Sequence, residues 1–231
     1  MSAREYREKF YGRRKGQKLS ARQERLLKEV LPGVSFSVEN LDPGSLDPRT
    51  LFDFTPTRVW LEIGFGKGEH LALQAQAHPR AGLIGCEPFI NGIAGLVTKI
   101  HEQGLHNVRI YPDDARHVLE ALKHDSIGRV FLLHPDPWPK ARHAKRRFVS
   151  QANLDALARV MKRGAELRIG TDHPVYMAWT MVQMQPRTDF KWTAGRAADW
   201  RIPPAGWYQT RYAAKAKKSD AKCAYLTFVR T

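Results

Sequence analysis

The chain has 231 residues, 42% hydrophobic and 26% charged, a balance that suits a globular protein with a sizeable core and allows one large domain or two small ones. No run approaches the roughly 18 uninterrupted apolar residues of a membrane span. The first residues lack the apolar core of a secretory signal, so the cytoplasm is the expected compartment. A net charge of +15 and a pI near 10.1 point to a polyanionic partner.

The cations gather in two places, the first 28 residues and the run after Trp138. Residues 1–28 hold ten Lys or Arg against three Glu, with Tyr6, Phe10 and Tyr11 between them. Such a segment is expected to be disordered alone and to lie along a phosphate backbone, or else to be a solvated tail. Ser20 with Gln23 makes a capping-box signature. Leu26, Leu27, Val30 and Leu31 then mark a short amphipathic helix ending at Pro32-Gly33. A basic extension over 1–40 thus precedes a main domain over 41–231, joined through the Pro/Asp/Gly-rich connector 41–56.

Strands are expected at 59–63, 83–86, 108–111, 130–133 and 167–169. Helices are expected at about 69–77, 93–103, 115–123 and 151–163, the last capped by Ser150 and ended by Gly164. A further helix opens with Pro174 in its first turn and runs to about 184. This alternation implies an α/β fold with a doubly wound, mostly parallel sheet, helices on both faces and ligands gathered at the strand C-termini. Residues 190–193 and 224–229 add a C-terminal antiparallel element, and the long Pro/Gly/aromatic stretch 200–212 between them has a length often tied to function. Cys86 and Cys223 lack Cys or His partners at ligand spacing. Both read as free thiols, Cys86 as a small core residue, and no metal is expected.

Two stretches carry the chemistry. In Leu61-Glu62-Ile63-Gly64-Phe65-Gly66-Lys67-Gly68-Glu69, three glycines alternate where the first strand turns into a helix, allowing positive φ and close approach of a ligand to the backbone. Glu87 ends the second strand at a distance suited to ribose hydroxyls, and Asp113-Asp114-Ala115 ends the third. The spacing is Gly-x-Gly-x-Gly, neither the dinucleotide fingerprint nor a phosphate-binding loop. The second stretch is Leu133-His134-Pro135-Asp136-Pro137-Trp138-Pro139-Lys140. It is a strand end running into a rigid proline turn with one carboxylate and one indole, followed by Arg142, Lys145, Arg146 and Arg147.

The glycine turn with acids at the second and third strand ends resembles the class I methyltransferases that use S-adenosylmethionine, which have a Rossmann-like sheet. The resemblance assigns cofactor binding to Gly64, Gly66, Gly68, Glu87 and Asp114, with Asp113 as the neighbouring contender and Glu62 near the methionine amino group. Asp136-Pro137-Trp138-Pro139 is similar to the Asp/Asn-Pro-Pro-aromatic loop with which several base-modifying methyltransferases hold a flipped base. Over nearly the whole chain, the run from Pro135 to Arg147, Gly170-Thr171-Asp172, the basic Phe10 to Gly16 segment and the Thr210-x-Tyr212 region resemble the bacterial tRNA (guanine-N7)-methyltransferases. That resemblance implies a catalytic role for Asp136 and tRNA contacts for Lys140, Asp172 and Thr210. The residues themselves suggest Trp138 for stacking and Arg142, Lys145, Arg146 and Arg147 for phosphates. The chain departs from the family at Ala213, where a glutamate usually stands, which removes one base-edge contact.

Guanine N7 carries an unprotonated lone pair, so methyl transfer to it needs alignment more than a strong base. A rival reading is a catalytically impaired RNA-binding protein with a methyltransferase-like fold, favoured by the basic tail and Ala213. A nicotinamide dehydrogenase would account only for the glycine turn and Glu87. Monomer and homodimer are both open.

Overall fold

The computed structural model describes residues 11–208 and 222–231. Its first part holds α1 (Ala21–Glu29) and the one-turn α2 (Leu31–Val34). The alternating core follows: β1 (Arg58–Ile63), α3 (Glu69–Ala77), β2 (Ala81–Cys86), α4 (Ile90–Gln103), β3 (Val108–Tyr111), α5 (Ala115–Ala121), β4 (Ile127–Leu133), α6 (Gln151–Val160) and β5 (Met161–Thr171). The chain closes with α7 (Pro174–Met184), β6 (Phe190–Trp192), α8 (Ala198–Arg201) and β7 (Ala224–Arg230). No helix among the described residues is long and apolar enough to cross a membrane.

One seven-stranded sheet runs in the order β3-β2-β1-β4-β5-β7-β6. The first five strands are parallel; β7 is antiparallel to β5, and β6 to β7. Helices cover both faces, so the central strands are apolar on both sides. Leu61, Ile63, Val130 and Leu132 join the core packed by α5, α6 and α7. Trp60 and Phe131, one residue out of phase, join Leu71, Ile93 and Leu96 of α3 and α4 in the other. Cys86 is fully buried, and both cysteines are free thiols.

Three expectations need correction. Residues from Arg14 onward do not hang free. The Ile90 N–H donates to the Arg14 carbonyl (3.0 Å), Asn91 exchanges bonds with the Gly16 N–H and Gln17 carbonyl, and Leu26 of α1 is buried in the core against α4. The capping box forms as expected, yet α1 stops at Glu29, and Pro32 serves as a first-turn residue of α2. Finally, α6 ends at Val160, not Gly164, because Met161 is already extended and pairs with Ile127. The next pair joins Arg129 to Glu166, so β5 spends five residues where β4 spends two. The surplus loops out through Gly164 at φ +79°.

The glycine turn is fixed by α4. A Cβ on Gly92 would lie 2.3 Å from the Gly66 carbonyl oxygen and 3.2 Å from Glu87 Cγ. Alanine would gain about 1 kcal/mol of helix propensity there, but the methyl must push backbone. We expect Gly92→Ala to lower unfolding stability by about 1–3 kcal/mol. Gly33→Ala in α2, where the added Cβ meets nothing within 4 Å, should raise it slightly. Urea unfolding of the two variants checks this; a stable Gly92→Ala protein would show that the turn is not held by this contact.

Candidate active site

A cavity of about 750 Å³ opens at the carboxyl ends of β1, β2 and β4. Its walls include Gly64 and Gly66 from the glycine turn, Glu87 after β2, Asp114 after β3, and Asp136 and Trp138 after β4. The two stretches picked out of the sequence therefore border one space.

Along the turn Gly64, Gly66 and Gly68 have φ of +70°, +57° and +72°, conformations that a side chain would strain. A Cβ on Gly64 would meet no protein atom within 4 Å, so the space above the turn is open. Gly68 is different: it is buried, caps α3 and packs on Leu96, supporting the turn from behind. Glu87 accepts from the Gly66 N–H (2.8 Å) and the Phe89 N–H (3.0 Å). Burial pushes its carboxyl up to about 7 against these two bonds, helped by the nearby charges of Asp136 and Glu62. Asp114 caps α5 through the Arg116 N–H and is gripped by the Arg116 guanidinium. Burial disfavours its charge, yet the Arg116 bonds outweigh burial and hold its carboxyl below the usual range. Asp113, half-buried, accepts from Arg14 at 2.9 Å.

Glu62 does not reach the cavity wall. Only 2% exposed, it points to the α3 side of the sheet and accepts from His70 Nδ1 at 2.7 Å. With that nitrogen protonated, His70 Nε2 accepts from Gln74 (3.1 Å), whose amide also donates to the Gly206 carbonyl (2.8 Å). A buried polar chain thus runs from behind the glycine turn to the loop after α8, where Trp207 packs on Gly170 and Tyr225.

After β4, His134 and Trp138 adopt left-handed backbone with φ of +50° and +41°. Each such residue costs about 1–3 kcal/mol unless its surroundings hold it. His134 bonds Asp172 at 3.3 Å, and burial keeps its imidazole below the usual range despite that carboxylate. Asp136 lies exposed at the cavity edge between them.

The basic run forms a 3-10 helix, Ala141–Arg146, whose three-residue period sorts its side chains. Arg142 and Lys145 share the exposed face, as does Lys140 just before it. His143 and Arg146 face the indole: His143 meets Trp138 edge to face at 5.8 Å, and the Arg146 guanidinium lies between the rings of Tyr11 (4.7 Å) and Trp138 (4.8 Å). Arg147 is buried and donates to the carbonyls of Pro137 and Trp138. The four cations therefore do not form one exposed unit: the helix period turns Arg146 toward the indole, and Arg147, the extended residue that caps the helix, is buried beneath the proline turn. Thr210, Tyr212 and Ala213 lie outside the described residues.

Sequence reasoning missed the wall supplied by Tyr11, Gly12 and Arg13. The aromatics interleaved with the basic residues, and the family resemblance of the Phe10 to Gly16 segment, were the signals that this segment does more than meet phosphate.

Comparisons with known proteins agree with this geometry. The family model described as "Putative methyltransferase" matches residues 56–225. The tRNA (guanine-N(7)-)-methyltransferase of Rhodospirillum rubrum is 48% identical over 96% of this chain and 88% of its own length. That of Rhizobium meliloti is 46% identical over 96% and 95%. Among solved structures, the 16S rRNA methyltransferase KamB superposes with a TM-score of 0.57 at 17% identity, over 79% of this chain and 91% of that one. An rRNA methylase from Streptococcus thermophilus does so with 0.50 at 10% identity, over 84% and 90%. These two share the fold. With nearly half of its residues matched along almost its full length, the chain belongs to the tRNA (guanine-N(7)-)-methyltransferase family.

Proposed function

We propose that this protein transfers a methyl group from S-adenosylmethionine to N7 of a guanosine in tRNA, forming 7-methylguanosine. The observation that carries the reading is the shared cavity: Asp136 and Trp138 border the same space as the glycine turn, Glu87 and Asp114. The activity named for relatives up to 48% identical supports it.

The residues present suit the cofactor. Gly64 and Gly66 let it pass close to backbone, with open space above Gly64. Glu87 accepts from ribose hydroxyls, and Asp114, kept ionised by Arg116, meets the adenine. Gly68 and Glu62 act from behind, the first by packing the turn and the second as a buried charge toward the methionine end. When bound, S-adenosylmethionine supplies a methyl group carried on a positively charged sulfur.

N7 of guanine needs no base to expose its lone pair, so the chain's task is alignment. Asp136 accepts from the amino edge of the guanine or faces the positive charge that grows on its imidazole ring, and Trp138 offers a ring beside it. Asp172, oriented by His134, and Lys140 contact the substrate, as does Thr210. The exposed Arg142 and Lys145 meet phosphates, where their contribution falls with added salt.

Incubating the protein with unmodified tRNA and methyl-labelled cofactor, then cleaving chemically at 7-methylguanosine, is the direct test. Label at a guanosine is expected. Its absence, together with retained tRNA binding, would favour the catalytically impaired RNA-binding protein instead. Asp136→Ala should lower kcat by about 10²–10³-fold while sparing tRNA affinity, in line with removal of one preorganised electrostatic group.

Glu87 gives a pH signature. Its carboxyl titrates near 7 in the cofactor-free protein, and only the ionised form accepts from both ribose hydroxyls. Falling pH therefore competes with the cofactor: the Kd should rise about tenfold from pH 8 to pH 6. Glu87→Gln should bind more weakly at pH 8 and show a flat profile by calorimetry. A wild-type Kd independent of pH would remove the ribose role of Glu87.

A further inference from the structure

We propose that Arg147 is a positioning residue for methyl transfer and contacts no phosphate. The inference rests on the proposed role of Asp136 at the base. The Arg147 side chain is buried, at 6% exposure, although it closes a run of cations whose other members include the exposed Arg142 and Lys145. Its Nε donates to the Pro137 carbonyl (3.1 Å) and its Nη2 to the Trp138 carbonyl (2.9 Å). These are the two residues directly after Asp136, and the second holds the left-handed φ of +41°. Two parallel donors on successive carbonyls fix the turn as a rigid unit, and the orientation of the Asp136 carboxylate follows from it.

The guanidinium is itself held. Its carbon lies 4.7 Å from the centre of the Trp179 ring on α7, and that indole donates to the Val149 carbonyl at 2.6 Å, two residues beyond Arg147. The Arg147 N–H caps the 3-10 helix on the Ala144 carbonyl at 3.0 Å. The backbone N–H, the Nε and Nη2 donors and the stacking face are thus all engaged inside the protein. A planar fork is required: the single ammonium of lysine keeps the charge but can neither span both carbonyls nor stack flat on the indole.

That difference supplies the test. Arg147→Lys is compared with wild type and with Arg142→Ala and Lys145→Ala, reading single-turnover rate at saturating tRNA and cofactor, tRNA Kd against salt, and cofactor Kd. A positioning role predicts that Arg147→Lys lowers the rate by about 10–100-fold, as a displacement near 1 Å does. Its salt slope and cofactor Kd should stay at wild-type values. Arg142→Ala and Lys145→Ala should each reduce the salt slope by about 1. Arg147→Lys with the wild-type rate overturns the inference, as does a reduced salt slope in Arg147→Ala with the rate intact. Should the lysine variant fail to fold, Trp179→Phe carries the test: losing the bond to Val149 should slow the saturated step several-fold at unchanged salt slope, and an unchanged rate counts against the proposal. A wild-type protein that labels no guanosine would sink the methyltransferase reading itself, whereas an active wild type with an indifferent Arg147→Lys sinks only this inference.

Discussion

The Gly66 carbonyl occupies the place where any side chain on Gly92 would begin, and the rest of the site depends on that approach. It lets the first turns of α4 press on the glycine turn, with Glu87 wedged between them and bonded to the Gly66 N–H. Three separate segments, the end of β1, the end of β2 and the start of α4, thereby share one knot. Its cost is the burial of a carboxylate, visible in the raised pKa of Glu87, and the local backbone bonds offset only part of it. A site that leaves an acid this uncomfortable has an acceptor ready for hydroxyl donors.

Much of the positive charge serves the scaffold. Arg109 donates to the carbonyls of Leu51, His106 and Val108, Arg159 to those of Leu119 and Leu122, and Arg230 to that of Ala158. Each guanidinium joins backbone segments far apart in sequence that secondary structure leaves unpaired. The formal charge of +15 therefore overstates what faces a polyanion. The exposed cations at or beside the cavity include Arg13, Lys140, Arg142 and Lys145.

The strands and most helices were legible because their apolar periods and caps are local: Ser20 with Gln23, Ser150, and Pro174 all act where their spacing predicts. Gly64, Gly66, Glu87, Asp114, Asp136 and Trp138 were legible as a set because parallel strands bring their C-termini to one edge. What stayed hidden depends on long-range geometry. Gly164 carries the same left-handed φ in a bulge that it would carry as a helix cap, so its residue type could not tell the two apart. The partnership of Glu62 with His70 follows from which face of β1 the acid occupies, a one-residue matter of register. The pairing of Tyr11 with Arg146 spans most of the chain and leaves no local mark.

The basic run after Trp138 shows how one short segment serves several ends. A straight α-helical reading spreads its cations over one broad solvated face. A three-residue period separates them, with Arg142 and Lys145 outward, His143 and Arg146 against the indole, and Arg147 beneath the turn. The outward pair is left to solvent, and the inner residues set the shape of the loop. Because Arg146 also touches Tyr11, the wall contributed by the N-terminal segment and the loop bearing Asp136 are mechanically joined. Any displacement of that wall is transmitted through one guanidinium to the Trp138 ring, so the shape of the cavity and the placement of Asp136 are not independent variables in this fold.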